Sequence, residues 1–212
     1  GTDYGIPLEL PVPERPGYAF LGWYYGLEVN SPKFENGTVL TSDVNLYAHW
    51  QKINSINVKT EEEFVLALNN EAYEAIYFDN NIEVYDTIRL TRSVEIYGNG
   101  YDLVSKNLFE LFNISSEFGL ASAPYTYPND GKLLISDLDI VVDHGINNFK
   151  SESIFDIYGT DNFRLYLDRV DIVGNVSSGI KVDACDNVDI RYLTSNLDII
   201  DNGVLFELSM QY

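Results

Sequence analysis

The chain has 212 residues, 45% of them hydrophobic, and a formal net charge of −20 at pH 7, with an isoelectric point near 4.2. That charge argues against nucleic acid or anionic lipid as a partner, because both are bound by positively charged surfaces. The lone cysteine, Cys185, excludes an internal disulfide, and the sequence has no apolar run of 18 residues that could insert into a membrane as a helix.

Residues 4–50 are predicted to form a small β module of their own. Tyr18 and Phe20 alternate with other residues as the side chains of a strand do. Large aromatic side chains supply the apolar area that so small a core needs. They include Trp23, Tyr47 and Trp50.

The segments GYAFLGWY at 17–24 and LYAHW at 46–50 resemble the Listeria–Bacteroides repeat, also called the internalin B-repeat. The resemblance implies a β-grasp-like module that occurs in tandem in bacterial surface proteins. Such repeats usually open with a strand ahead of the position of Tyr4, and this sequence lacks it. We therefore expect a module over residues 1–51 that is incomplete at its N-terminus or is completed by a neighbouring segment.

A short helix is predicted after this module. Thr60 and Glu63 have the spacing of a capping box, in which each side chain bonds a backbone N–H group at the helix start. The helix is expected to end near Asn69 and to cover the open end of a β solenoid. Its apolar face is formed by Phe64, Ala67 and Leu68.

Residues 52–212 are predicted to form a right-handed parallel β-helix, so the fold class is all-β. Short runs with a period of two are separated by turn residues and recur about every 25 residues, which is typical of coils with three strands each. Val204-Leu205-Phe206, for example, is expected to follow Ile180-Lys181-Val182, and Leu197-Asp198-Ile199 to follow Val170-Asp171-Ile172. An apolar strand without a capping signal precedes Tyr212, so we expect further coils, a cap or a partner after it.

The LDI, VDI and GIKV runs, with Cys185-Asp186-Asn187-Val188 at a corner, resemble the pectate-lyase-like β-helix superfamily over residues 56–208. The resemblance implies the fold and not an activity, since that fold hosts lyases, hydrolases, tail spikes and adhesins.

The alternation of side chains predicts which of them face inward. Buried positions are expected at Ile172, Ile180, Val182, Ile190 and Ile199, and exposed positions at Asp171, Lys181 and Asp189. Other inward pairs are expected at Tyr101 and Leu103 and at Phe109 and Leu111.

Outward residues of successive coils are expected to form rows about 4.8 Å apart from coil to coil. One row is acidic, with Glu83, Asp102, Asp139, Asp171 and Asp198. It is interpreted either as a hydrated stripe or as a Ca²⁺ site with ligands Asp139, Asp171 and Asp198. The other two rows are Glu95, Leu134, Arg164 and Asp189, in which Arg164 and Asp189 are expected to pair, and Glu110, Asp156, Lys181 and Leu205.

Residues 115–131 are predicted to be an insertion rich in turn residues. Its Tyr125 and Tyr127, stiffened by Pro124 and Pro128, are candidate ligand contacts, and the alternative is that they pack onto an outer strand face.

Catalytic residues are not evident in the sequence. Pectate lyases that resemble this fold combine carboxylate-bound Ca²⁺ with a neighbouring Arg or Lys base, whereas here only Arg169 lies near the acidic row, in an adjacent turn. Cys185 is expected to be packed rather than nucleophilic, and two histidines make a His-rich zinc site improbable.

The preferred functional hypothesis is a non-catalytic fragment of an extracellular bacterial cell-surface protein that uses the β-helix for adhesion or ligand display. Its partner would be a glycan or a host or cell-surface protein. The alternatives are a fragment of a polysaccharide lyase or glycoside hydrolase whose active coils lie beyond Tyr212, and a purely structural stalk.

Overall fold

The computed structural model describes residues 7–115, 130–145, 149–193, 199–200 and 204–209, with the backbone alone from residue 192 onward. The chain divides into two compact units, Gly1–Ser55 and Ile56–Tyr212. Within the described ranges no helix has the length and apolar character that crossing a membrane requires.

The first unit is built on an antiparallel pair of strands, β1 (Tyr18–Tyr24) and β2 (Tyr47–Lys52). The pairing shifts between Phe20 and Gly22, where Gly22 has a φ of 133°, a conformation that side chains other than glycine rarely adopt. The ring of Phe20 lies 5.7 Å from Trp23 and 5.3 Å from Trp50. These aromatic side chains form the expected cluster, and each of them is half-buried.

The second unit contains the helix α1 and, among the described residues, thirteen strands, of which β4 to β15 pair in parallel. The helix is α1 (Glu61–Leu68). The strands are β3 (Ser55–Val58), β4 (Ala75–Phe78), β5 (Ile82–Val84), β6 (Ile88–Arg89), β7 (Val94–Ser105), β8 (Phe112–Ser115), β9 (Lys132–Val142), β10 (Ser151–Tyr158), β11 (Arg164–Asp168), β12 (Ile172–Asp183), β13 (Asp189–Leu193), β14 (Ile199–Ile200) and β15 (Val204–Ser209).

Each strand pairs with strands one coil before or after it, and the pairs form three sheets. The first sheet contains β4, β11, β13 and the N-terminal halves of β7 and β9. The second contains β5, β14, the C-terminal halves of β7 and β9, and the start of β12. The third contains β6, β8, β10, β15 and the remainder of β12. The predicted all-β chain with a parallel β-helix and a capping helix is thereby confirmed.

The core is made of inward side chains that stack from coil to coil. In the third sheet the stack runs through four fully or nearly fully buried residues, and the Phe112 and Phe155 rings are parallel at 5.3 Å. The members of this stack are Ile88, Phe112, Phe155 and Ile180. Equivalent stacks in the other sheets are Ile76, Ile96, Ile135 and Leu167, and Ile82, Leu103, Ile140 and Ile172.

The inward positions agree in most cases with the alternation of the sequence. Ile172, Ile180 and Val182 are buried, whereas Ile190 is half-buried against the core. The side chain of Ile199 lies outside the described part of the chain. The residues expected to be exposed, Asp171, Lys181 and Asp189, are half-exposed.

Two predicted inward residues are exposed, which corrects the sequence analysis. Tyr101 is 37% exposed, because β5 begins only at Ile82 and no strand of the preceding coil covers it. Phe109 is 60% exposed because the side chain of Asn107 holds a turn there. Asn107 accepts the Phe109 N–H and donates to the Glu110 carbonyl, each at 3.0 Å, so the strand starts at Phe112.

Three predicted pairings between residues of neighbouring coils are wrong by two residues along the strand. Glu83 lies beside Val104, so Asn81, whose side-chain oxygen accepts the Asp102 N–H at 3.0 Å, takes the first-coil position of the acidic row. Lys181 pairs with Glu207 instead of Leu205. Ile199 pairs with Gly174 instead of Ile172. A slip of two residues keeps the same side chains inward, so the apolar pattern alone cannot detect it.

The capping helix is fixed at both ends. The Thr60 hydroxyl accepts the Glu63 N–H at 3.2 Å and the Glu63 carboxylate accepts the Lys59 N–H at 2.7 Å, which is the predicted capping box. At the other end the guanidinium of Arg92, on the turn before β7, donates to the carbonyls of Leu68, Ala67 and Tyr73 at 2.7 to 2.9 Å. Arg92 thereby joins the last turn of the helix to the next coil.

Replacing Arg92 is expected to destabilise the β-helix. Arg92→Ala removes the three charge-assisted hydrogen bonds to these carbonyls, of which the Ala67 carbonyl keeps the Asn70 N–H as a partner. This corresponds to a loss of about 2–3 kcal/mol in the free energy of unfolding. Arg92→Lys should recover only part of this, because an ammonium group cannot bond all three carbonyls in the fork geometry of the guanidinium. Urea unfolding measures the effect, with Arg89→Ala, an exposed arginine three residues away, as the control. Equal stabilities of the Arg92→Ala and Arg89→Ala variants would contradict this role.

Candidate functional site

Two rows of outward side chains on adjacent sheets are the candidate functional surfaces. The first is the acidic row on the second sheet, which consists of Asp102, Asp139 and Asp171. Asp102 and Asp139 are directly paired, and the Asp171 carbonyl accepts the Ile140 N–H at 2.8 Å from the next coil. The predicted fourth member, Asp198, lies outside the described residues.

Neighbouring carboxylates of the acidic row repel one another. Partial burial, followed by repulsion from Asp171 and Asp102, raises the pKa of Asp139 above its ordinary value. The side chain of Asp139 is nevertheless exposed, so solvent screening keeps the energetic effect small. The row is therefore a mildly destabilising feature of the bare protein at neutral pH.

Calcium binding by the acidic row stays a prediction. The first and third of these carboxylates belong to strands two coils apart, a backbone separation of about 10 Å. Ca²⁺ requires ligand oxygens at about 2.3–2.6 Å, so one ion can be shared only by neighbouring coils. No group of three or more His, Cys, Asp or Glu side chains suited to a metal ion occurs in the described segments.

The arginine nearest to the acidic row is held by ion pairs. Arg169 and Asp137 occupy stacked turns between the first and second sheets, and each has a φ of 52°. The Arg169 guanidinium donates to Asp137 at 2.8 Å and pairs with Asp168 at 2.8 Å. Arg169 thus links two coils at their corner, and its charge is directed to these carboxylates.

The second candidate surface, on the first sheet, is a cluster of cations around an aromatic ring. Tyr166 lies between Leu134 and Arg191 in the ladder of strands. The Arg191 guanidinium is 5.3 Å and the Lys132 ammonium 5.4 Å from the centre of the Tyr166 ring, within the range of cation–π contacts. Together with Arg164, these residues are named the Tyr166 patch.

The alignment of the Tyr166 patch corrects the second predicted row. Leu134 pairs with Tyr166, and Arg164 pairs with Lys132 and Asp189. This is again a slip of two residues along one strand. Asp189 is beside Arg164 as predicted, but its ion pair is with Arg191 at 2.7 Å.

Arg164 is the most available cation of the patch. Lys132 forms an ion pair with Glu95 at 3.6 Å, and Arg191, although two-thirds exposed, is paired with Asp189. Arg164 is exposed, donates to the Asp130 carbonyl at 3.3 Å, and forms no ion pair within the described segments. Among the described residues, the patch therefore offers one guanidinium without an ion pair, beside an aromatic ring on a strongly acidic protein.

The insertion predicted to contact a ligand rejoins the coils beside this patch. Tyr125 and Tyr127 lie outside the described residues, and their binding role stays a prediction. The chain returns at Asp130, whose carbonyl is the acceptor for Arg164. Asp130, the first described residue after the two tyrosines, thus lies next to Arg164 of the Tyr166 patch.

Sequence analysis did not identify Tyr166 or Lys132 as site residues. The available signal was the alternation in FRLYLD, residues 163–168, where an outward arginine precedes an outward tyrosine. Cys185, in contrast, behaves as expected of a structural thiol, since burial raises its pKa and its sulfur donates to the Asp183 carbonyl at 3.1 Å.

Comparison with known families yields two matches. Residues 55–190 match the family described as "Putative pectate lyase-like adhesive domain", which covers well over half of the chain, and residues 2–49 match the Listeria-Bacteroides repeat domain. Both resemblances noted in the sequence are confirmed, in the predicted order. No curated protein and no solved structure matches the chain. An adhesive domain joined to a repeat of bacterial surface proteins indicates a surface-associated adhesive fragment.

Asp139→Asn is expected to stabilise the protein at pH 7. Because the folded-state pKa is raised, protonation of Asp139 favours the folded state; this contribution is fully present below the ordinary Asp pKa of 3.8 and is lost as the pH rises through the folded-state pKa. The amide removes this loss, for a gain of about 0.5 kcal/mol at pH 7 that fades at low pH. Thermal unfolding from pH 3 to 7 measures it. Asp143→Asn is the control, and it should destabilise the protein at pH 7, because the hydrogen bond from Lys106 lowers the pKa of Asp143.

Bound Ca²⁺ would reverse the effect that substitutions in the acidic row have on stability. If a carboxylate of the row binds the ion, EDTA should lower the melting temperature, and Asp171→Asn should abolish the EDTA effect. A stabilising Asp171→Asn in a protein that does not respond to EDTA would rule out the metal.

Proposed function

This chain belongs to the family of pectate lyase-like adhesive domains, and on that premise we propose that it is a non-catalytic adhesive part of an extracellular bacterial cell-surface protein. The match over residues 55–190 carries the proposal. The match of residues 2–49 to a repeat domain supports it, because the notable feature of such repeats is their occurrence in surface proteins.

The arrangement of outward side chains suits adhesion to an extended ligand. The strands of each sheet are in register, so their outward residues form rows that run along the axis of the coils. A polymer that lies along such a row meets a side chain at each coil, and many weak contacts can add up to useful affinity.

The Tyr166 patch is the proposed contact surface. Its cations favour ligand groups that carry a carboxylate or a sulfate, and the guanidinium of Arg164 can bind such a group through two parallel hydrogen bonds. The ligand is proposed to be a glycan or a protein on another cell. The acidic surface around the patch would repel a strongly anionic ligand elsewhere and would restrict it to this face.

A polysaccharide lyase or hydrolase is the alternative activity, and the contacts of Arg169 make it the weaker one. A base beside a carboxylate-bound metal must be able to reach the substrate, whereas the guanidinium of Arg169 is bound by Asp137 and Asp168. We expect no release of unsaturated products from polygalacturonate in the presence of Ca²⁺. Turnover that depends on Arg169 would establish the enzyme and overturn the adhesive proposal.

The decisive binding experiment compares two double variants of equal charge. Glycan and extracellular-matrix protein arrays are probed with the parent chain, with Arg164→Ala/Arg191→Ala, and with Lys33→Ala/Lys59→Ala. Each variant loses two positive charges, so a general electrostatic effect is the same in both. We expect the patch variant to lose about tenfold or more in affinity for the ligand found, and the control variant to lose less than about twofold.

Equal affinities of the two variants would remove the Tyr166 patch as the contact surface. Binding to neither array by the parent chain would favour the structural stalk.

A further inference from the structure

Within the described part of the chain, the first coil has an open strand edge in its third sheet. In the first sheet, β3 pairs with the outer edge of β4. Beside the second sheet, the Glu61 carboxylate of α1 accepts the Tyr85 N–H at 2.9 Å. In the third sheet, β6 is the terminal strand. Strand β3 thus covers the edge of β4, and α1 binds one N–H group just after β5.

The backbone of Arg89 is directed at this open edge. Ile88 and Leu90 donate their N–H groups to the carbonyls of Leu111 and Asn113, in the next coil, at 2.8 and 3.0 Å. Because alternate residues of a strand bond to opposite sides, the N–H and C=O groups of Arg89 point away from the next coil. Arg89 has no hydrogen bond or ion pair among the described residues, and its side chain is exposed.

An open pocket of about 250 Å³ lies between β6 and α1. The helix contributes Val65, which is 39% exposed, together with Leu68 and Asn69, and the strand side contributes Thr87, Ile88, Arg89 and Thr91. A closed apolar cavity of about 150 Å³ holds benzene, so this pocket has room for a large apolar side chain. A strand added beside β6 would bring an inward side chain next to Ile88, which lines this pocket.

The charge pattern of the third sheet indicates which residue such a strand would place beside Arg89. Arg89 belongs to the outward row of this sheet, in which Lys181 is paired with Asp156 on one side and with Glu207 on the other. Opposite charges on neighbouring strands stabilise a sheet. Among the residues that the structure describes, Arg89 has Asn113 on one side and no strand on the other, so an acidic residue on an added strand would continue the alternation of charge.

We propose that β6 is an acceptor edge for an extended segment of a partner protein with an apolar–acidic–apolar pattern. The segment adds as a parallel strand, its acidic side chain beside Arg89 and one apolar side chain in the pocket. Two copies of this chain paired edge to edge through β6 would place two Arg89 side chains together, so like-charge repulsion argues against that occupant. The site is independent of the Tyr166 patch.

The probe is a capped peptide VLFELS, which has the sequence of β15 and provides Phe, Glu and Leu in the required order. Amide NMR of the whole chain is recorded with the peptide at up to 1 mM, and hydrogen exchange of the Arg89 amide is followed. We expect the Arg89 amide to shift and to exchange at least about tenfold more slowly. A peptide with Lys in place of Glu should bind about three- to tenfold more weakly, and Arg89→Glu should reverse that preference.

Backbone methylation separates strand addition from adhesion of an apolar peptide. In a parallel strand the N–H groups of inward residues face β6, so N-methylation of the Leu after Glu should abolish binding, whereas N-methylation of Glu should leave it unchanged. Three results would each overturn the proposal: no binding at 1 mM, binding without protection of the Arg89 amide, or equal binding of the two methylated peptides.

Discussion

Hydrogen bonding between one coil and the next is the constraint on which the β-helix depends. Because the strands are parallel and in register, each inward side chain lies on the side chain of the preceding coil, as Phe155 lies on Phe112. Most inward positions are therefore apolar, small polar residues such as the paired Ser153 and Ser178 occupy others, and each side chain must fit both neighbours. The outward positions carry no such requirement, and they form rows whose chemistry is free to vary.

This division explains what could be predicted from the sequence. Period two and the recurrence of runs identify the parallel solenoid, and the capping box identifies the helix, since both are local or repeated signals. The alignment between coils cannot be predicted in this way, because a shift of two residues keeps the same side chains in the core. The partners of Glu83, Leu134 and Ile199 were each displaced by this amount. Outward rows depend on alignment alone, so the Tyr166 patch was not recognised.

The acidic row and the Tyr166 patch are neighbours because one strand serves both. Lys132 and Asp139 lie on β9, on either side of the bend at Asp137. The ion pairs of Arg169 hold that bend against the next coil. The cations of the patch and the carboxylates of the acidic row are thus held on two different sheets, on either side of this corner.

Arg92 has a mechanical consequence. A stack of coils unfolds first at its ends, because a terminal coil has only one neighbouring coil and fewer stabilising contacts. The guanidinium of Arg92 ties the last turn of α1 to the start of the second coil, so it encloses the first coil between two attached layers. Opening that end breaks several charge-assisted hydrogen bonds at once and exposes the buried Phe64 in the same step. Under tension, the first coil and the cap would then detach together in one abrupt step, and not strand by strand.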